Sequence, residues 1–193
     1  LVLVPLDGPT PVENLGSMPL ADVAVPPGAV ELAQGPAALA AHDAAIDEWL
    51  ALTAAALVAV GARGLELGVE YVKERRAWGV PIGSFQAISH RLADSAAALD
   101  GARLLAHEAA WAHDDDPARA AELAAMAFAF AYESARDATY RSLHFHGGYG
   151  FMLEYDIQLY YRRARAWATV YGGPREAYRR VTDKRLGRAA GAV

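Results

Sequence analysis

The chain has 193 residues, 54% of them hydrophobic and 21% charged, which is the composition of a globular domain and excludes a disordered one. A net charge of −5 argues against a nucleic-acid-binding surface, and the lack of cysteine excludes disulfides, thiol catalysis and thiolate metal sites. The same lack suits a cytoplasmic protein, and no apolar run in the sequence approaches the roughly 18 residues that span a membrane.

Residues 1–35 carry Pro5, Pro9, Pro11, Pro19, Pro26 and Pro27, with strand-prone pieces at Leu1–Val4 and Asp22–Val25 between them. Proline removes backbone donors and fixes φ, so this segment reads as the last strand or two of a β-domain plus a linker. Its opening Leu-Val-Leu-Val-Pro lacks the basic flank of a signal peptide, and a start on such a run suggests a fragment.

From Pro36 the pattern is helical, rich in alanine and leucine. A first helix is expected over 36–77 with a break near His42-Asp43, closed by Gly79 as a left-handed cap and by Pro81. Gly61, Gly64 and Gly68 form a stripe on which a second helix can approach closely. The second helix is predicted from the Ser84 cap to about His113, with Phe85, Ile88, Leu92, Leu99 and Ala102 on one face. Asp114-Asp115-Asp116-Pro117 marks a loop, with Asp116 or a neighbour capping a third helix over 117–145. A fourth is expected over 153–169 and a short terminal one to about Leu186. The whole reads as mostly α, an up-and-down four-helix bundle with a short β remnant at the N-terminus, organised as 1–35 and 36–193.

Three spaced elements carry chemistry. The first runs from Tyr71 through Arg75, Trp78, Gly79, Pro81 and Ile82 to Phe85-Gln86; the second is His146-Gly147-Gly148-Tyr149-Gly150-Phe151 with Glu154-Tyr155. The third is Leu159-Tyr160-Tyr161-Arg162-Arg163-Ala164, followed by Tyr171-Gly172-Gly173. A guanidinium at a helix end can grip a pyrophosphate with two bonds, and Trp78 offers a flat apolar face. Gln86 supplies an amide for a base edge or ribose, and Gly147-Gly148 lets backbone N–H groups approach a phosphate or ring. Taken singly, Arg75-Arg76 also reads as a solvated helix end and the glycine run as a plain connection. Together they suit a dinucleotide.

In order and spacing these elements resemble the C-terminal domain of the acyl-CoA dehydrogenases over about residues 36–186. The resemblance implies an FAD whose diphosphate and adenine side meets Arg75 and Gln86, held largely by a neighbouring subunit. It puts Trp78 at a position that is usually phenylalanine, Gly147 and Gly148 at the family's paired glycines, and His144 where that family has a glutamine. The family's arginine–aspartate pair is Arg162-Arg163 here. Its catalytic carboxylate falls on Tyr171 without a gap, or on Gly172 with one inserted residue, and neither can take an α-proton as a carboxylate would. Some members carry the base on the first long helix; the matching place is Trp49, with Glu48 one position off as a substitute candidate.

The resemblance further implies a subunit of an α2β2 hetero-oligomer, similar to the paired actinobacterial steroid-type dehydrogenases, acting on an acyl-CoA beside a homologous partner that supplies the carboxylate. Two other readings are a flavin-free scaffold and a self-sufficient dehydrogenase using Glu48. No metal site is expected: His144 and His146 at a helix end point apart, and Asp114–Asp116 lack a loop-like ligand spacing. Phe128, Phe130, Tyr132 and Tyr140 are expected in the core or at a subunit interface.

Overall fold

The structure, a computed structural model, describes residues 1–5, 8–170 and 172–186. At the N-terminus β1 (Val2–Leu3) pairs antiparallel with β2 (Val30–Glu31), Val2 opposite Glu31. The expected strand over Asp22–Val25 does not form. That stretch runs into Pro26-Pro27, where successive donors are missing, and the chain turns there, Ala29 N donating to the Pro26 carbonyl at 3.1 Å, before pairing resumes. Between the strands, Asn14 organises a tight turn: its Oδ1 accepts from the N–H groups of Gly16 and Met18, and its Nδ2 donates to the carbonyls of Val12 and Met18.

Helix α1 (Gly35–Glu74) is one continuous 40-residue rod, about 60 Å long. The break expected near His42-Asp43 is absent, because the alanines on either side have the highest helix propensity. By length and composition alone this helix is apolar enough to cross a membrane, a test that the core helix of a bundle also passes. Leu50, Ala54, Leu57, Val58 and Val60 on it belong to the bundle core.

α1 ends at Glu74 and not at 77. Arg76–Ala77 (β3) fold back on Val80–Pro81 (β4) around Trp78-Gly79, whose φ values are +50° and +83°. Two successive positive φ values make the tight hairpin that matches strand twist, so Gly79 serves this hairpin and caps no helix. A 3-10 turn over Ile82–Ser84 leads into α2 (Gln86–Asp115). Phe85 takes the cap position in place of Ser84, whose hydroxyl donates to the Pro81 carbonyl.

α3 (Pro117–Phe145) follows immediately, with Asp116 at its cap position but without a capping bond from its side chain. The loop 152–156 is longer than expected and shortens α4 to Ile157–Trp167; α5 spans Gly173–Leu186. The helical domain therefore has three long helices and a fourth leg built from two short ones. α3 is central, packing against α1, α2, α4 and α5. Tyr161 of α4 meets Tyr140, and Arg185 of α5 pairs with Glu122, so the composite leg runs antiparallel to α3.

The interface of α1 with α3 follows from small residues. A methyl group on Gly61 would come within 2.9 Å of the Ala135 Cα, and one on Gly64 within 2.6 Å of Thr139 Cγ2. On Gly68 it would lie 2.3 Å from Ser142 Oγ. Of the four aromatics expected in the core or at an interface, Phe128 is fully buried against Trp49, while Phe130 and Tyr140 are exposed.

Candidate functional site

Four chain ends meet at one end of the bundle: the C-terminus of α1, the hairpin, the N-terminus of α2 and the C-terminus of α3 with its glycine turn. Arg141 on α3 donates to the Arg91 carbonyl and to Ser95 Oγ on α2, which fixes this antiparallel end. Tyr71 on α1 stacks on His146 at the end of α3, ring centres 4.0 Å apart.

Arg75 caps α1, its N–H donating to the Tyr71 carbonyl at 2.9 Å; the side chain is exposed and makes no ion pair among the described residues. Trp78 is 91% exposed, touching Phe85 edge-on. A bulky side chain at positive φ is uncommon, and the tight hairpin between Arg76–Ala77 and Val80–Pro81 is what puts Trp78 there. Gln86, the first residue of α2, is exposed beside it. An adjoining groove of about 470 Å³ is lined by Ala87, Ile88, Arg91, Tyr140, His144 and Phe145. The structure thus brings Arg75, Trp78, Gln86 and His144 to the same end.

Gly147 and Gly148 form a 3-10 turn just past His146. Gly147 has φ +61°, which favours glycine on backbone grounds alone. Gly148 has no such need, and a methyl group added to it would meet nothing within 4 Å. Among the described residues nothing requires glycine there. Gly150 differs, since a methyl on it would lie 2.4 Å from the Leu143 carbonyl oxygen.

His146 is 5% exposed and Nδ1 lies 2.7 Å from the Ser142 carbonyl, so Nδ1 carries the proton. Burial pushes its pKa below the ordinary histidine value, and the bond to Ser142 opposes that only in part. His144 is exposed and stacks on Tyr140, so the two histidines face different neighbours. Sequence reasoning missed the Tyr71–His146 contact; Tyr71 lies one helical turn before Arg75, the spacing that could have suggested it.

At the other place of interest, Tyr171 lies outside the described residues. Gly172 and Gly173 have φ +75° and +70°, and a methyl on Gly172 would lie 3.1 Å from Glu176 Cβ. Glu176 is bonded to Arg179, which holds its carboxyl below the usual range. Glu48 is exposed on α1, next to Trp49, which with Leu52, Thr53, Trp167 and Met18 lines an apolar cavity of about 350 Å³. Asp47 is paired with Arg180.

The family described as Acyl-CoA dehydrogenase, C-terminal domain, matches residues 44–187. The chain belongs to the acyl-CoA dehydrogenase family. Acyl-CoA dehydrogenase IpdE2 of Mycolicibacterium smegmatis is 42% identical over 140 residues, covering 70% of this chain and 43% of the relative. The chain therefore spans less than half the length of that relative. Among solved structures, the ChsE4–ChsE5 complex from Mycobacterium tuberculosis superposes with a TM-score of 0.80 at 26% identity, over 95% of this chain and 50% of that one. The Tcur3481–Tcur3483 steroid ACAD gives 0.74 at 31% identity, over 84% and 44%.

Proposed function

We propose that this chain is part of an FAD-dependent acyl-CoA dehydrogenase subunit that lacks its own catalytic base and supplies half of a cofactor site, in trans, to a homologous partner. The observation that carries the reading is the gathering of unengaged Arg75, exposed Trp78 and Gln86 and the open Gly147-Gly148 turn at one end of the bundle. No described residue lies within 4 Å of a methyl added at Gly148, which leaves the room an incoming flavin nucleotide would need. Arg75 would grip the diphosphate, Gln86 and His144 would offer polar contacts to the adenine side, and Trp78 would give an apolar wall. When bound, FAD supplies the acceptor for a hydride from Cβ of the acyl thioester.

The backbone at Gly172 supports the missing base. A left-handed φ favours glycine, so a carboxylate-bearing residue there would be strained and crowded by Glu176. A partner carrying the carboxylate fits this, and the likeness to the ChsE4–ChsE5 complex and to the steroid ACAD supports an α2β2 assembly acting on a steroid-type acyl-CoA. On the same reading, residues 1–35 are the end of a middle β-domain and a linker, and the cysteine-free composition suits a cytoplasmic setting.

Arg75→Ala in the complex co-purified with its partner tests the half-site. The expected result is a roughly 10- to 100-fold weaker hold on FAD, the worth of a charge-assisted bond. Undiminished flavin content and turnover would leave the flavin-free scaffold reading in its place.

A further inference from the structure

We infer that the Tyr71–His146 stack is a positioning pair that sets the distance between Arg75 and the Gly147-Gly148 turn. The inference rests on the cofactor half-site proposed above. The two parts of that site belong to different helices, Arg75 to α1 and the glycines to the end of α3. Tyr71 lies one helical turn before Arg75 and accepts its N–H; His146 immediately precedes Gly147. The rings are 4.0 Å apart and inclined by only 22°. From the guanidinium-bearing residue to the open glycines, the link is thus one helical turn, one stack and one peptide bond.

Three features hold the stack in place. The Gly68–Ser142 contact brings the two helices close enough for it to form. The proton on Nδ1, given to the Ser142 carbonyl at 2.7 Å, sets the plane of the imidazole and leaves Nε2 bare. Tyr155 closes the cluster edge-on, 5.7 Å from His146 and 6.3 Å from Tyr71. A flat ring at 146 is needed for this arrangement, and an aliphatic side chain of equal bulk would fill the space without fixing the separation.

The test is an FAD titration of the co-purified complex, read by flavin absorbance, with melting temperatures measured alongside. His146→Ala and Tyr71→Leu should weaken FAD binding by roughly three- to tenfold, the worth of an aromatic pair. Tyr71→Phe, which keeps a flat ring and the His146 bond to Ser142, should restore it to within about twofold. His146→Phe, which keeps the ring but loses that bond, should recover only part of it. Leu123→Ala, in the core toward the far end of α3, should lower the melting temperature while leaving FAD affinity unchanged. Ring-removing variants that bind FAD like the wild type, or a Leu123→Ala that loses as much affinity, would overturn the positioning role alone. A wild-type complex that takes up no FAD would overturn both this inference and the half-site beneath it.

Discussion

Arg180 on α5 clasps Asp47 on α1: Nε and one terminal nitrogen both reach Oδ1 at 2.7 Å, and that nitrogen also donates to the Asp43 carbonyl at 3.1 Å. The two side chains are only 12% and 17% exposed. This pair pins α5, and with it the Gly172-Gly173 turn, against the stretch of α1 that carries Asp47, Glu48 and Trp49. Arg180→Ala leaves a largely buried carboxylate without its partner. Stability should fall by about 3 kcal/mol, and chemical denaturation of the purified chain would measure it.

Glu48 shares that stretch but faces solvent, while its neighbour Trp49 lines the apolar cavity. Turnover of the complex should therefore survive Glu48→Gln unchanged. A loss of about a hundredfold or more would install Glu48 as the base and make the chain self-sufficient.

Two glycine substitutions should behave in opposite ways. Gly68→Ala forces a methyl group to within 2.3 Å of Ser142 Oγ and 3.1 Å of its Cα, so the helices must part. A loss of about 1–3 kcal/mol is expected in thermal unfolding. Gly148→Ala meets no atom within 4 Å among the described residues and has no positive φ to strain. Its melting temperature should stay where it is while, under the proposed half-site, FAD uptake falls because the methyl enters the room the cofactor would use.

The buried imidazole of His146 gives stability a pH dependence with a definite sign. Its pKa in the folded chain lies below the ordinary 6.5, because burial disfavours the charged form. Above about 6.5 the ring is neutral in both states and the contribution is fully present; as pH falls below that value the unfolded chain takes up the proton first. Stability should decline from there until the folded pKa is passed. The rings of Tyr71 and Tyr155 face the imidazole, and no ion pair to it occurs among the described residues. Melting curves from pH 7.5 to 5 should show the decline, and His146→Phe should flatten it.

Much of this was legible in the sequence. Gly61, Gly64 and Gly68 announced a close helix contact, and the spacing from Arg75 to Gln86 marked the end of the bundle where Trp78, His144 and the glycines gather. Other features depend on long-range contacts that no local pattern carries. The Trp78-Gly79 hairpin looked like a helix cap because a tryptophan at positive φ is not something propensity anticipates. α4 came out short because Met152–Asp156 packs as an irregular loop around the Tyr149–Tyr155 contact. His146 looked like half of a histidine pair; only folding shows it stacked on Tyr71, 75 positions earlier in the chain.

The most direct test of the half-site is the ratio of flavin to polypeptide for this chain purified alone and with the proposed dehydrogenase partner. Flavin should appear only in the complex, at about one for every two polypeptides, as a site shared between subunits requires. A full equivalent of flavin on the chain alone would contradict it.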